Sequence, residues 1–194
     1  MKLHVIAVAF RRAIPLRGLI DSFILQTDPN WVIHIMHDGS APQDVKDVIN
    51  SYDDDRIIFY ETELIGEVGG HHNRKRGLDN IPSNSEDWVL MTNGDNYYVP
   101  KFVEYFLRVC NHTVGLVYCN TIHSHQEYNL HHSHLVECGI DMGAFIVRLD
   151  VAKETGFNHF HFSADGCYAA ECKATCVRRG LQVIYINKFL FVHN

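Results

Sequence analysis

Short apolar runs alternate with amphipathic segments along the chain, and this alternation constrains the fold more than any other feature. The first run, residues 3–10, is apolar at nearly every position and has the length of a strand, which is typical of a strand that helices cover on both faces. Apolar residues then recur every three or four positions from Pro15 onward. That spacing predicts a helix that begins at the proline.

The same criteria predict the remaining elements. The pair Ser40 and Gln43 favours a capping box at a helix start, and Gly180 is expected to end the last helix. Residues 120–137 show no periodicity and are predicted to form a long loop. Strands are expected over 31–36, 56–60, 88–91, 114–119 and 183–186, a further apolar run spans 140–147, and helices are expected over 41–51, 72–80, 100–110 and 166–179.

This order of elements predicts an α/β fold for residues 1–194, with a mostly parallel central sheet flanked by helices on both faces. A length of 194 residues fits a single domain. In such sheets ligands bind beyond the carboxyl ends of the strands. Polar turns that follow strands are therefore the first candidates for a functional site.

Charge and cysteine content argue against several classes of function. The 17 basic and 23 acidic residues give a formal net charge of −6, which argues against binding to nucleic acids or anionic membranes. No apolar stretch reaches the roughly 18 residues of a membrane span. The six cysteines form no CxxC pair and no secretory signal precedes them, so we expect reduced thiols in the cytoplasm.

Two polar turns follow predicted strands. Asn93-Gly94-Asp95 would place the Asp95 carboxylate at the carboxyl edge of the sheet, where it could hold Mg²⁺ or Mn²⁺ together with phosphate oxygens. Asp38-Gly39-Ser40 would offer an acceptor to a nucleobase N–H group. Each triplet is also ordinary turn chemistry, and a turn without a ligand is the more frequent meaning of either one alone.

Other polar residues have both a functional and a structural interpretation. Arg74 follows several glycines at a helix start and could face a diphosphate or lie on a solvated basic surface. Asp165 could be a general base, a helix N-cap, or both. His193 could bind the same metal ion or be a bystander. The histidines within 123–134 lack the cysteine or glutamate partners of a zinc site, so we expect no zinc there.

The order of these motifs resembles that of family 2 glycosyltransferases with the GT-A fold. The resemblance extends from Val5 to about Asn187. It depends on a Gln-Thr helix end, an Asp-Gly-Ser turn, a basic helix, an Asn-Gly-Asp turn, an apolar segment that ends in arginine, and a late aspartate. In this sequence the matching residues are Gln26-Thr27, Asp38-Gly39-Ser40, Arg74 with Gly77-Leu78, Asn93-Gly94-Asp95 with Pro100, 143–148, Gly156-Phe157 and Asp165.

The resemblance implies a metal-dependent, inverting transfer of a sugar from a nucleotide-sugar to a hydroxyl acceptor. A UDP-sugar is the favoured donor, a GDP-sugar is the alternative, and the acceptor is expected to be a glycan or glycoconjugate. Residues 1–96 would form a nucleotide-binding half and residues 97–194 an acceptor and catalytic half. Asp165 would be the catalytic base, and Mn²⁺ or Mg²⁺ would bind Asp95 and His193. The donor would contact Ala7, Val8, Phe10, Asp38, Arg74, Asn93, Gly94 and Asp95, and the acceptor would contact Gly143, Ala144 and His132.

The sequence departs from the family pattern at the metal motif and beside the base. Asn93 stands in place of the first aspartate of the metal motif, and Ala164 in place of a glutamate. Fewer negative charges make metal binding more dependent on the diphosphate of the donor. The long spacing from Asp165 to Gly180 leaves Glu171 as a second candidate base.

Two other functions stay open from sequence. A catalytically silent nucleotide-sugar-binding module would be consistent with the asparagines at positions 93 and 96. A sugar-nucleotide nucleotidyltransferase is disfavoured, because residues 10–15 lack the glycine-rich loop that follows the first strand of those enzymes. The chain is expected to be close to a minimal GT-A core, either as a small enzyme or as a domain of a longer protein.

Overall fold

Nine strands form one sheet in the computed structural model, which describes residues 1–64, 66 and 69–194. The strands are β1 (Leu3–Ala9), β2 (Trp31–His37), β3 (Ile57–Glu61), β4 (Trp88–Asn93), β5 (Tyr97–Tyr98), β6 (Val114–His123), β7 (Asn129–His131), β8 (Phe145–Arg148) and β9 (Gln182–His193). Their order in the sheet is β3-β2-β1-β4-β8-β6-β9-β5, and β7 pairs with β6 beside this path.

Six α-helices connect the strands in the described part of the chain. They are α1 (Ala13–Ile24), α2 (Gln43–Asn50), α3 (His71–Asn80), α4 (Phe102–Leu107), α5 (Leu149–Thr155) and α6 (Ala164–Arg178). Helix α1 packs on α2, whereas α3 contacts α5, and α5 contacts α6. Because β-α-β crossovers are right-handed, α1 and α2 cover the face of the sheet opposite to α3, which crosses back over β1.

The parallel half of the sheet sets the position of the candidate site. Strand β1 lies between β2 and β4, and Val8 pairs in register with both Met36 and Asn93. The carboxyl ends of these three strands therefore stop at the same level. Their following turns meet at one edge, as expected for an open parallel sheet.

The other half of the sheet is mixed. Strand β8 is antiparallel to both β4 and β6 and joins the two halves. Strand β9 runs parallel to β6 along its length, so that His193 pairs with His123. Strand β5 is antiparallel to the end of β9, with Tyr97 opposite Val192. The last strand therefore returns to the turn that follows β4.

The predicted α/β fold is confirmed, with a sheet that is mostly parallel but mixed. The predicted loop over 120–137 is wrong in its first half, because β6 continues to His123 and β7 pairs back on it. Helix α5 and strand β5 were not predicted. Helix α5 follows β8 without a break, and strand β5 has only two residues. Neither element therefore shows a hydrophobic periodicity of its own.

The predicted helix starts are also corrected. Helix α1 begins at Ala13, two residues before the proline. The capping box is wrong, because α2 begins at Gln43 after Pro42 and the Ser40 hydroxyl instead lies 3.4 Å from a carboxylate oxygen of Glu61. Ser163, not Asp165, occupies the N-cap position of α6. Within the described residues, no helix has the length and apolar character needed to cross a membrane.

Candidate active site

A cavity of about 430 Å³ opens at the carboxyl edge of the parallel strands. It lies where β1, β2 and β4 end and where α3 begins. Six of the residues predicted to bind a donor line it. The lining consists of Val8, Ala9, Phe10, Arg12, Asp38, Gly66, Gly69, Gly70, Asn73, Asn93, Gly94 and Asp95.

The turn after β4 is held directly against the end of β1. The Gly94 N–H group donates a hydrogen bond of 2.7 Å to the carbonyl of Val8. A Cβ at Gly94 would lie 3.1 Å from that carbonyl oxygen and from Cβ of Ala9, which is tighter than ordinary van der Waals contact. The small residue thus keeps the Asn93–Asp95 turn at the cavity floor.

Asp38, in the turn after β2, also lines the cavity. Its backbone N–H group donates to the Ala9 carbonyl (3.0 Å), so the turn after β2 continues the ladder with β1. Its carboxylate accepts a hydrogen bond of 2.9 Å from the backbone N–H group of Gly66. Asp38 and Asp95 therefore line the same cavity from the ends of two different strands.

Arg74 supports the cavity from behind and is not part of its lining. The side chain is only 2% exposed and donates to Oδ1 of Asn93 and to the carbonyl of Gly69. Its guanidinium also lies 3.0 Å from Nδ1 of His71. Arg74 thereby fixes the first residue of the Asn-Gly-Asp turn against the start of α3. Ala7, another predicted donor contact, is fully buried within β1 and does not line the cavity.

The Asp95 carboxylate pairs with Arg12, which follows β1. The chain end lies on the other side of this turn: the side-chain amide of Asn194 donates to the carbonyl of Asp95. Asn194 N–H also lies 3.4 Å from Oδ1 of Asn96. The Asn96 amide itself donates to Thr92 (3.0 Å) and is buried.

His193 lies beside this turn and contacts Asp141, a residue that the sequence analysis missed. One carboxylate oxygen of Asp141 is 3.0 Å from Nδ1 of His193, and the other is 2.7 Å from Nε2 of His123. Burial alone would raise the pKa of Asp141, but the two imidazoles lower it to about 2. Asp141 follows no strand end and belongs to no motif, so only the pairing of β6 with β9 reveals it.

Asp165 lies next to this group, in the first turn of α6. Its Oδ2 atom accepts a hydrogen bond of 3.0 Å from the backbone N–H group of Met142, the neighbour of Asp141 in the chain. The interaction with Asp141 raises the pKa of His193, and the charges of Asp165 and Asp95 raise it further, against the effect of burial. Both carboxylates are thus close enough to His193 to act on its charge.

The predicted acceptor contacts and the second candidate base, Glu171, are less well placed for their predicted roles than the residues that line the cavity. Gly143 and Ala144 are buried, and a Cβ at Gly143 would lie 2.5 Å from the Phe191 ring. His132 is exposed on the β7 side and packs edge-on against Phe189. Glu171 lies six residues beyond Asp165 on the same helix, which turns its side chain about 120° away from the Asp165 face.

Comparison with known proteins identifies the family to which this chain belongs. The family model described as Glycosyl transferase family 2 matches residues 4–167, which includes the Asp38, Asp95 and Asp165 positions. The chain belongs to glycosyl transferase family 2. The predicted resemblance is thereby confirmed. No curated protein sequence matches the chain significantly.

Solved structures share the fold at low sequence identity. Residues 1–349 of TarS from S. aureus superpose with a TM-score of 0.80 at 13% identity, covering 100% of this chain and 60% of that one. The same TarS fragment in complex with UDP-GlcNAc gives a TM-score of 0.77 at 13% identity, over 100% of this chain and 58% of that one. The mannosyltransferase PcManGT from Pyrobaculum calidifontis, in complex with GDP-Man and Mn²⁺, gives 0.72 at 14% identity, over 99% and 56%. This chain therefore spans about three-fifths of the length of the chains in these three structures.

Proposed function

We propose that this domain transfers a sugar from a nucleoside diphosphate sugar to a hydroxyl acceptor, with inversion at the anomeric carbon. One observation carries the proposal. Asp38 and Asp95 line one cavity at the carboxyl edge of the sheet, and Asp165 lies close enough to the neighbouring His193 to raise its pKa. The shared cavity of Asp38 and Asp95, together with the influence of Asp165 on His193, supports a site built from three carboxylates that are far apart in sequence.

The cavity supports a nucleotide donor. Its apolar wall includes Val8 and Phe10, and Asp38 supplies a hydrogen-bond acceptor for a base N–H group. The start of α3 forms another wall through Gly69 and Gly70, where the N–H groups of a helix N-terminus favour phosphate. We favour a UDP-sugar, with a GDP-sugar as the alternative, since TarS and PcManGT are in complex with UDP-GlcNAc and GDP-Man respectively.

A divalent cation, Mn²⁺ or Mg²⁺, fits the side chains next to the cavity. Asp95 offers a carboxylate, and His193 offers an imidazole whose Nδ1 faces the carboxylate of Asp141. A carboxylate on one ring nitrogen is the usual support for a metal-binding histidine, because it fixes the ring and its tautomer. When bound, the ion would neutralise the charge that develops on the departing diphosphate.

Arg12 competes for the same carboxylate. It is largely exposed and pairs with Asp95, so the pair is worth no more than about 1 kcal/mol. A cation on Asp95 would displace Arg12 at little cost. Because Arg12 also lines the cavity, its guanidinium would then be available to the donor phosphates.

Asp165 is our candidate for the catalytic base. One of its oxygens accepts the Met142 N–H group, which orients the carboxylate and leaves the other oxygen to take the proton of the acceptor hydroxyl. General-base assistance of this kind is worth roughly 10² to 10⁴ in rate. The acceptor is expected to be a glycan or glycoconjugate that approaches from the side of His132.

A catalytically silent nucleotide-sugar-binding module is the second candidate function. The side chain of Asn93 is engaged by Arg74, and that of Asn96 by Thr92. The turn after β4 therefore presents a single carboxylate, Asp95, to a metal ion. A site with so few charges would bind a donor while supporting little turnover.

The experiment compares binding and turnover in the same samples. Thermal shift with UDP- and GDP-sugars, with and without Mn²⁺, identifies the donor, because a ligand of the folded state raises Tm. Release of the nucleoside diphosphate then measures turnover. We expect Asp165→Asn to lower turnover roughly 10² to 10⁴-fold while the donor-induced Tm shift persists.

Two further variants test whether a loss of turnover is specific to Asp165. Asp79→Asn changes an exposed carboxylate on α3 that pairs with Lys75, and we expect it to retain full turnover. Glu171→Gln tests the second candidate base directly. A Tm shift without turnover by the unaltered protein would favour the binding module, and loss of turnover in Glu171→Gln but not in Asp165→Asn would contradict the assignment of the base.

A further inference from the structure

A second cluster of chemically active side chains lies outside the cavity. A nitrogen each from His159 and His161 and the sulfur of Cys167 all lie within 4.8 Å of one another. A carboxylate oxygen of Glu171 is 2.9 Å from Nε2 of His159. None of these four residues lines the cavity, and the proposed transfer reaction involves only Glu171, as the second candidate base.

The local structure explains why these side chains converge. The segment between α5 and α6 carries two aromatic anchors, one before the two histidines and one between them. Phe157 is buried and packs edge-on against Tyr168 of α6 (5.1 Å between ring centroids), while Phe160 stacks on His72 of α3 at 4.3 Å. In such a segment alternate residues face the same way, so both histidines turn toward α6.

Helix α6 supplies the other half of the cluster. Cys167 and Glu171 are four residues apart, which places them on one face of the helix, one turn from each other. Nε2 of His159 is shielded from solvent, and among the described residues it makes no hydrogen bond of good geometry, although Glu171 lies close to it. A shielded nitrogen with an unused lone pair or N–H group is better explained by a ligand than by packing.

We propose that His159, His161, Cys167 and Glu171 form a zinc site. Two imidazoles, a thiolate and a carboxylate are the ligand types of tetrahedral Zn²⁺, whereas Mg²⁺ and Mn²⁺ favour sites built of oxygen ligands. With bond lengths of about 2.0–2.3 Å, the ligands of such a site lie about 3.3–3.8 Å apart. The two histidine nitrogens and the cysteine sulfur need to close by at most about 1.5 Å, which the exposed His161 can supply. Glu171 joins this group through its contact with His159.

The site would act on the neighbouring first turn of α6. Binding of Zn²⁺ would join the 159–161 segment to α6 two residues beyond Asp165 and would displace the thiol proton of Cys167. The zinc would be structural: four protein ligands leave no open position for a substrate. This inference does not depend on the proposed transfer reaction.

The test uses Co²⁺ as a spectroscopic substitute for Zn²⁺ in the full chain after EDTA treatment. A cobalt–thiolate bond gives a charge-transfer band that oxygen and nitrogen ligands do not. We expect this band to saturate at one Co²⁺ per chain and to disappear when Zn²⁺ is added. We also expect Zn²⁺ to raise Tm by linkage.

Matched variants identify the residues that give rise to the charge-transfer band. Cys167→Ser should abolish it, and His161→Ala should weaken Zn²⁺ affinity by at least about tenfold, since even residues behind a metal ligand contribute that much. Cys138→Ser removes another exposed thiol, and Asp141→Asn disables the other possible cluster, which contains no sulfur. The band should persist in both. Metal-free Tm and circular dichroism check that each variant folds.

Either of two results would overturn the proposal. One is the absence of a thiolate band from folded, EDTA-treated protein with stoichiometric Co²⁺. The other is a band of full intensity in Cys167→Ser. Loss of transfer activity bears only on the preceding proposal, because the band is measured without donor or acceptor.

Discussion

A half-buried pair of histidines in the parallel half of the sheet should make the fold sensitive to mild acid. His34 of β2 stacks between His4 of β1 and Tyr60 of β3, with ring centroids 5.4 and 6.3 Å away. Its Nε2 atom lies 3.1 Å from Nδ1 of His4. Burial lowers the pKa of His34 to about 4, and the nearby His4 contributes to the shift. Burial also lowers the pKa of His4, against the effect of Asp87.

The sign of the effect follows from linkage. In the unfolded chain His34 titrates near 6.5, so between pH 6.5 and 4 the unfolded state binds the proton and the folded state does not. Stability therefore falls as the pH falls through this window. For a shift from 6.5 to about 4, the loss at pH 5 is about 2 kcal/mol. Partial exposure of the ring reduces our expectation to about 1–2 kcal/mol.

Urea unfolding at pH 7 and pH 5 measures this loss. In His34→Phe the aromatic shape is kept and the titrating group is removed, so the loss of stability between the two pH values should be smaller by about 1–2 kcal/mol. Comparing each variant with itself cancels any change in packing. His112→Gln, at an exposed position before β6, serves as the control and should behave like the unaltered protein. An equal loss in His34→Phe and in the unaltered protein would refute the reasoning.

Two further predictions concern the region around Asp141. Gly143→Ala should destabilise the fold by about 1–3 kcal/mol, because its Cβ would overlap the packed side chains of Phe191 and Tyr98. Urea unfolding measures this loss, and unchanged stability would show that the region is loosely packed. Asp141→Asn should lower the pKa of His193, measured by NMR titration, because the interaction that now raises it is removed while burial remains. A pKa of His193 that stays raised would contradict the proposed pairing.

The cavity half of the candidate site could be predicted from sequence because local patterns determine it. A buried parallel strand reads as a continuous apolar run, and the turn that follows it lies at the ligand-binding edge. This reasoning located Asp38 and the Asn93-Gly94-Asp95 turn, which the structure places in one cavity. Arg74 was also predicted near the nucleotide, but only its burial and its bond to Asn93 reveal a supporting role.

The other half could not be predicted, because its contacts depend on strand pairing. Sequence patterns gave no sign of β5 or β7, and the extension of β6 from Asn120 to His123 is mostly polar, so it does not read as an apolar run. The role of Asp141 depends on His123 and His193, which come together only because β6 and β9 pair in register. The zinc cluster likewise joins a segment without regular structure to one face of a helix.

Strand pairing also explains how the Asp95 turn comes close to His193, the proposed imidazole ligand, which lies almost a hundred residues later in the chain. The two-residue strand β5 follows the Asp95 turn and pairs with β9, with Tyr97 opposite Val192. The next residue of β9 is His193, and Asn194 then bonds to the Asp95 carbonyl. The backbone pairing of β5 with β9 thus brings Asp95 and His193 near each other, and the bond from the Asn194 side chain supports this arrangement. Because this geometry is built before any ion binds, the loss of negative charge at Asn93 and Asn96 need not abolish metal binding.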